Sequence, residues 1–202
     1  MTEETDWEQC YRDGVTPWDK GAPSPVLVQY LNARSVTGSV AVPGCGSGHD
    51  VAEIARRSDS VTVLGLDVSA EAVRISNINV SPFENAKVEQ ADLFDLNRKH
   101  IGAYDWVWEH TCFCAIDPSR RGDYVEAVYQ LLKPRGKLLA VFYLEPKGRE
   151  DGESGPPFGC TAEQLDELFD SRFIVEESWV PDVAFPGREG RELMRVLRKK
   201  SG

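Results

Sequence analysis

Between Ser39 and Asp67 the chain reads SVAVPGCGSGHDVAEIARRSDSVTVLGLD, and this stretch restricts the fold more than any other. Val40-Ala41-Val42 is a short apolar run of the kind a buried strand presents. Three glycines follow at alternate positions, Gly44, Gly46 and Gly48. Val51, Ile54 and Ala55 then share one face at helical spacing. A second apolar run, Val61 to Leu66, ends on Asp67. The order is strand, glycine-rich turn, helix, strand, carboxylate. Such a unit holds a nucleoside-like ligand: the glycines let it approach the backbone, and the terminal carboxylate can accept two hydrogen bonds from a ribose diol.

The glycine spacing narrows the ligand. A dinucleotide fingerprint is G-x-G-x-x-G, with the third glycine inside the helix. Here the run is G-x-G-x-G, followed by His49 and Asp50. This disfavours a nicotinamide-dependent oxidoreductase. It fits the turn of class I methyltransferases, whose cofactor is S-adenosyl-L-methionine.

The chain has 202 residues, enough for one α/β domain with a substantial core. We expect a single domain over 1–202, with 1–37 as an N-terminal cap segment and 38–202 as a Rossmann-like core. Hydrophobic content of 41% and charged content of 28% are ordinary for a soluble globular protein. A net charge of −10 repels phosphate backbones, so nucleic acid is not an expected partner. No apolar run reaches membrane-spanning length, and Met1-Thr2-Glu3-Glu4 lacks a signal-peptide pattern. The expectation is a cytoplasmic monomer acting on a small molecule. The five cysteines are scattered without framework spacing, which suits a reducing compartment. Cys112-x-Cys114 lacks a second Cys/His pair at ligand spacing, so no metal is expected. The basic run Arg195, Arg198, Lys199 and Lys200 reads as a solvated tail.

Trp7, Tyr11 and Trp18 lie in a segment broken by Gly14, Pro17, Gly21, Pro23 and Pro25. Asp6 is placed to cap a short helix on which Trp7 and Tyr11 share a face. This segment reads as an aromatic lid. A helix is expected over 26–33. Ser69 as N-cap, with Glu71 in the first turn, predicts another running to about Asn79. Residues 87–91, 105–109, 137–143, 173–180 and 193–197 read as strands, and 133–136 as a turn. Pro118 opens a helix carrying Tyr124, Val128, Leu131 and Leu132, and Thr161 caps one carrying Leu165 and Leu168. Residues 145–159 form a long Gly- and Pro-rich loop, the kind that is often functional. Alternating strands and helices, closed by two strands with no helix between them, predict an α/β fold. Its form is a Rossmann-like doubly wound sheet of about seven strands with the last antiparallel.

Several stretches coincide with one family. They are W-E-x-C-Y-x-x-G-x-T-P-W-D (Trp7 to Asp19), V-P-G-C-G-S-G-H-D-V (Val42 to Val51) and G-L-D-V-S (Gly65 to Ser69). E-H-T-C-F-C-A-I-D-P (Glu109 to Pro118), L-L-K-P-x-G (Leu131 to Gly136) and G-P-P-F (Gly155 to Phe158) follow in order. Together they resemble the thiopurine S-methyltransferase family, most closely its thiol and halide methyltransferase branch. The resemblance implies that Trp7, Tyr11 and Trp18 cover the cofactor, with Tyr11 standing where the family often has Trp. It implies that Gly44, Cys45 and Gly46 lie beneath the methionine part, Asp67 at the ribose, and Asp92 and Leu93 beside the adenine; Val68, next to Asp67, counts with the cofactor-binding residues. It places His110, where the family often has Tyr, toward the sulfonium end. Arg135 replaces a glycine common in that turn. Glu109 also counts with the cofactor residues, because it ends a strand where open α/β sheets gather ligands.

Methyl transfer from a sulfonium is a direct displacement, so the protein must align the reactants and exclude water. Aromatic faces near the sulfonium would stabilise it by about 0.5–2 kcal/mol per contact. A soft anion needs no base, only a desolvated apolar pocket, for which Cys112, Phe113, Pro157 and Phe158 are the candidates. No catalytic residue is fixed by this reading. A hydroxyl or amine acceptor would want a base, and His110 is the candidate. His49, at a helix start, reads as structural and His100 as solvated. Cys45 and Cys114 read as packing residues, not nucleophiles. The reading is therefore an S-adenosyl-L-methionine-dependent enzyme that methylates a thiol, hydrosulfide or halide. One alternative keeps the cofactor with a thiopurine-like, selenium or tellurium, hydroxyl or amine acceptor. A further one is a non-catalytic cofactor-binding module, against which the lid aromatics and the G-P-P-F loop argue.

Overall fold

The computed structural model describes residues 5–146 and 155–201. The middle of the loop expected over 145–159 and the first four residues lie outside the described residues. The strands are β1 (Gly38–Pro43), β2 (Val61–Asp67), β3 (Ala86–Gln90), β4 (Tyr104–His110), β5 (Leu132–Tyr143), β6 (Phe173–Trp179) and β7 (Glu192–Lys199). The helices are α1 (Trp7–Arg12), α2 (Pro25–Ala33), α3 (His49–Ala55), α4 (Ala70–Val80), α5 (Arg121–Leu131) and α6 (Ala162–Phe169). The strands form one sheet in the order β3-β2-β1-β4-β5-β7-β6. The first five pair in parallel, whereas β7 runs antiparallel to both β5 and β6.

Each helix covers a face whose residues the local pattern already makes apolar. Tyr124, Val128 and Leu131 of α5, with Leu165 and Phe169 of α6, pack on one side around Val107, Leu138 and Phe142. Val51 and Ile54 of α3 pack on the other side around Val40, Trp108 and Val141. Val26, Leu27 and Tyr30 of α2 join that second core, so this helix of the N-terminal segment is bedded on the sheet itself. The caps expected from sequence form: Asp6 accepts from Gln9 N, Ser69 from Ala72 N, and Thr161 makes a reciprocal capping box with Gln164.

Three expectations are corrected. Residues 133–136 are not a free turn but the irregular start of β5. Pairing steps from Tyr104↔Leu132 to Trp106↔Lys137, so the extra residues bulge out, and Arg135 takes φ 66°. The terminal basic run is not a solvated tail, because most of it lies on β7. Arg195 is 4% exposed with Nη1 2.8 Å from Asp166, and Lys199 Nζ donates to the carbonyls of Tyr129 and Leu132 at 2.7 and 2.6 Å. His100 is not solvated either. It is 3% exposed, its Nδ1 lying 2.7 Å from the Tyr104 hydroxyl, because a 3-10 turn capped by Asn97 tucks the ring inward.

Candidate active site

Strand order reverses between β1 and β4, and the crevice beyond their carboxyl ends is where open α/β sheets bind ligands. The glycine turn lies there, after β1. Gly44, Gly46 and Gly48 all take positive φ, at 58, 54 and 80°. The space each lacks is filled: an added Cβ at Gly44 would meet Cys112 Sγ at 2.9 Å, and one at Gly46 the Tyr11 hydroxyl at 2.7 Å. At the end of β2, Asp67 accepts from Gly46 N at 2.8 Å through one oxygen and from Ser69 N at 3.0 Å through the other. Burial pushes its carboxyl up, and these backbone donors only partly offset this. A carboxylate oxygen has room for a further donor, so a diol can still bind here. Val68, 50% exposed beside it, offers a flat apolar edge to a ring. Turn, carboxylate and apolar neighbour thus fit S-adenosyl-L-methionine.

The N-terminal aromatics sit over this turn as a connected group. Trp18 lies edge-on to Trp7 at 5.2 Å and to Tyr11 at 5.8 Å, and its indole N–H donates to the Tyr11 hydroxyl at 3.1 Å. Burial drives the Tyr11 phenol well above its ordinary range, so it stays protonated. Two carboxylates that the sequence reading passed over bind the lid down. Glu8 of α1 accepts from Ser69 Oγ at 2.7 Å and from Glu71 N at 3.0 Å, at the start of α4. Asp19 accepts from Ser47 Oγ and lies 3.2 Å from His49 Nε2. That contact explains the structural part expected of His49. The W-E and W-D pairs of the sequence were the available signal.

On the other side of the turn, Asp50 in the first turn of α3 gathers three donors, one from the cap of α2 and two from β4. Ser24 N reaches one oxygen at 2.7 Å, while Trp108 Nε1 at 2.7 Å and His110 Nδ1 at 2.9 Å share the other. Burial alone would raise this carboxyl, but the His110 charge and these hydrogen bonds outweigh it and hold it below the ordinary carboxylate value. Phe185 stacks on the His110 ring, with centroids 6.0 Å apart. Nearby, Arg188 lies 4.6 Å over the Tyr143 ring and 3.4 Å from Glu192, a buried carboxyl that burial raises. Asp50 stood in the V-P-G-C-G-S-G-H-D-V run without a role, and Phe185, Arg188 and Glu192 had no motif to announce them.

Not every sequence candidate joins this group. Glu109 points to the opposite face of β4 from His110, where both oxygens are engaged: Phe113 N donates at 2.8 Å and the Tyr124 hydroxyl closes on the second. Burial pushes its carboxyl up to about 7. Phe113 is 2% exposed and stands edge-on to Tyr124 and Phe142 in the core, so it walls no pocket. Asp92 is exposed and accepts from Phe94 N at 2.8 Å, and Leu93 packs on the α5-side core. Phe158 is buried with its N–H donating to Cys114 O at 2.6 Å, beside the half-buried Pro157. Burial raises the thiols of Cys45 and Cys112 far above their usual value and that of Cys114 to about 12, so all three stay protonated. Among the described residues no cluster of three or more His, Cys, Asp or Glu is placed to hold a metal.

A doubly wound sheet with this turn, carboxylate and roof defines an S-adenosyl-L-methionine-dependent methyltransferase of class I. The sequence profile of the thiopurine S-methyltransferase family matches residues 2–200, and the chain belongs to that family. Thiocyanate methyltransferase 1 of Brassica oleracea is 36% identical over 170 residues, covering 82% of this chain and 72% of its own. A protein of Arabidopsis thaliana named "Probable thiol methyltransferase 2" is 31% identical over 212 residues, covering 96% and 85%. Among solved structures, the 1,6-didemethyltoxoflavin-N1-methyltransferase of Burkholderia thailandensis, with S-adenosylhomocysteine bound, superposes with a TM-score of 0.71. It is 19% identical and covers 96% of this chain and 85% of its own, so it speaks for the fold.

Proposed function

We propose that the chain methylates a small soft nucleophile, a thiol, hydrosulfide or halide-like anion, by direct displacement. Bound S-adenosyl-L-methionine supplies a methyl carbon activated by a positive sulfur. Asp67 would hold the ribose diol, with the exposed Val68 beside it among the cofactor residues. Tyr11 and Trp18 roof the glycine turn and keep water from the reacting atoms, and their ring faces favour the sulfonium charge. Holding both reactants in line converts a bimolecular step into an effectively unimolecular one.

The observation that carries the acceptor class is the wall beside Gly44. Cys112 presses its neutral thiol on the turn, and at the end of β4 Phe185 stacks on His110, while Arg188 lies over Tyr143 and pairs with Glu192. A neutral thiol and aromatic rings make a polarisable lining, which suits a weakly hydrated anion. The names of the thiocyanate and thiol methyltransferase relatives support the same reading. The test is to incubate purified protein with methyl-labelled cofactor and, separately, thiocyanate, iodide, hydrosulfide, an aromatic thiol and a catechol. Volatile methylated products from the first three are the expected result. Label in the catechol alone would overturn the reading.

A further inference from the structure

His110 is held by a partner sixty residues away in sequence, and this arrangement has a chemical consequence. Asp50 is ionised, and an ionised carboxylate only accepts hydrogen bonds. Whenever the imidazole is neutral its single proton therefore sits on Nδ1, facing Asp50 Oδ2 at 2.9 Å, and Nε2 is bare. Among the described residues nothing hydrogen-bonds to that Nε2. Trp108 Nε1, bound to the same carboxylate oxygen, and Phe185, stacked on the ring, fix the ring's direction. The other charged groups about it are Glu109 on its own strand and Glu192 on β7, the latter joined by Arg188. The ring stands at the carboxyl end of β4, beside the glycine turn.

We propose that Asp50 and His110 form a proton-accepting dyad, so that the chain's acceptors include neutral thiols that arrive protonated. The proposal rests on the methyltransferase reading above and names a substrate class for the same site. The thiol sulfur gives its proton to His110 Nε2 and uses the freed electron pair to bond the methyl carbon, leaving the former sulfonium as a neutral thioether. The imidazolium then releases its proton to water. His110 is the catalytic residue and Asp50 the positioning residue. Iodide has no proton to lose, so the dyad is idle when iodide is the acceptor.

The experiment compares 2-mercaptoethanol with iodide in the wild type and in His110→Asn. The ratio of thiol to iodide kcat/KM falls by at least about tenfold at pH 7. The loss shrinks above about pH 9, where the thiol ionises unaided. An unchanged ratio would overturn the dyad, because His110 would then serve both acceptors alike. Wild-type protein that methylates neither probe would instead sink the soft-nucleophile reading itself. A second readout needs no turnover. With only three histidines in the chain, nitrogen NMR of histidine-labelled, cofactor-free protein resolves each ring. Neutral His110 shows the Nδ1–H tautomer in the wild type and a mixture in Asp50→Asn. An Nε2–H tautomer in the wild type contradicts the dyad.

Discussion

Glu109 and His110 are adjacent residues of one strand with opposite fates, because successive side chains of a strand leave on opposite faces. His110 meets Asp50 and Phe185 at the crevice, whereas Glu109 is driven under α5, against Tyr124. Its carboxyl titrates near 7 in the fold against 4.5 for the free group. The folded chain therefore holds a proton that the unfolded chain has lost between those values, and stability falls as pH rises through that window. Glu109→Gln removes this dependence. Denaturant titrations from pH 4.5 to 7.5 are expected to show a fall in stability that is steeper in the wild type than in the variant, by on the order of 3 kcal/mol across the window. Equal slopes would mean that Glu109 is ionised throughout.

At the scale of elements, α1 is too short to persist by itself, and its place over the turn depends on a few polar ties. Glu8 fastens it to the start of α4, and Asp19 fastens the following loop to Ser47 and His49. The sheet and its two cores do not involve these residues. Asp19→Ala should therefore weaken S-adenosylhomocysteine binding by roughly threefold to tenfold, the worth of one or two hydrogen bonds, while the midpoint of global unfolding hardly moves. Calorimetry of binding beside a denaturant melt checks this. A large loss of stability with unchanged affinity would show that the lid belongs to the folding core. The other elements were well marked in the sequence: Asp6, Ser69 and Thr161 all cap the helices they announce. What the pattern missed was the start of β5, where no polar break separates Leu131 from Leu132 and only sheet pairing decides where helix gives way to strand.

For the molecule as a whole, a ligand that binds only the folded state adds its binding energy to stability. S-adenosylhomocysteine at 100 times its dissociation constant adds about 2.7 kcal/mol, a rise in Tm of roughly 5–10 °C for a chain of this size. NADH should produce none. A shift with NADH alone would mean that the glycine spacing had been misread. Among the described residues no helix is long and apolar enough to cross a membrane.

The sequence by itself determined what acts over a few residues. That includes the strand-turn-helix-strand unit, the glycines whose positive φ the turn requires, the carboxylate at the end of β2, and the helix caps. It also determined the family, through motifs spread along the chain. Only the tertiary structure decided which of these residues meet. Trp108 and His110 reach Asp50 across 58 and 60 positions, because strand order puts β4 beside β1 and α3 above them. The same pairing sends Phe113 into the core and buries Arg195 on β7. Hydropathy tells what a side chain prefers. Which face it leaves by, and what stands opposite, is fixed by long-range register that no local pattern contains.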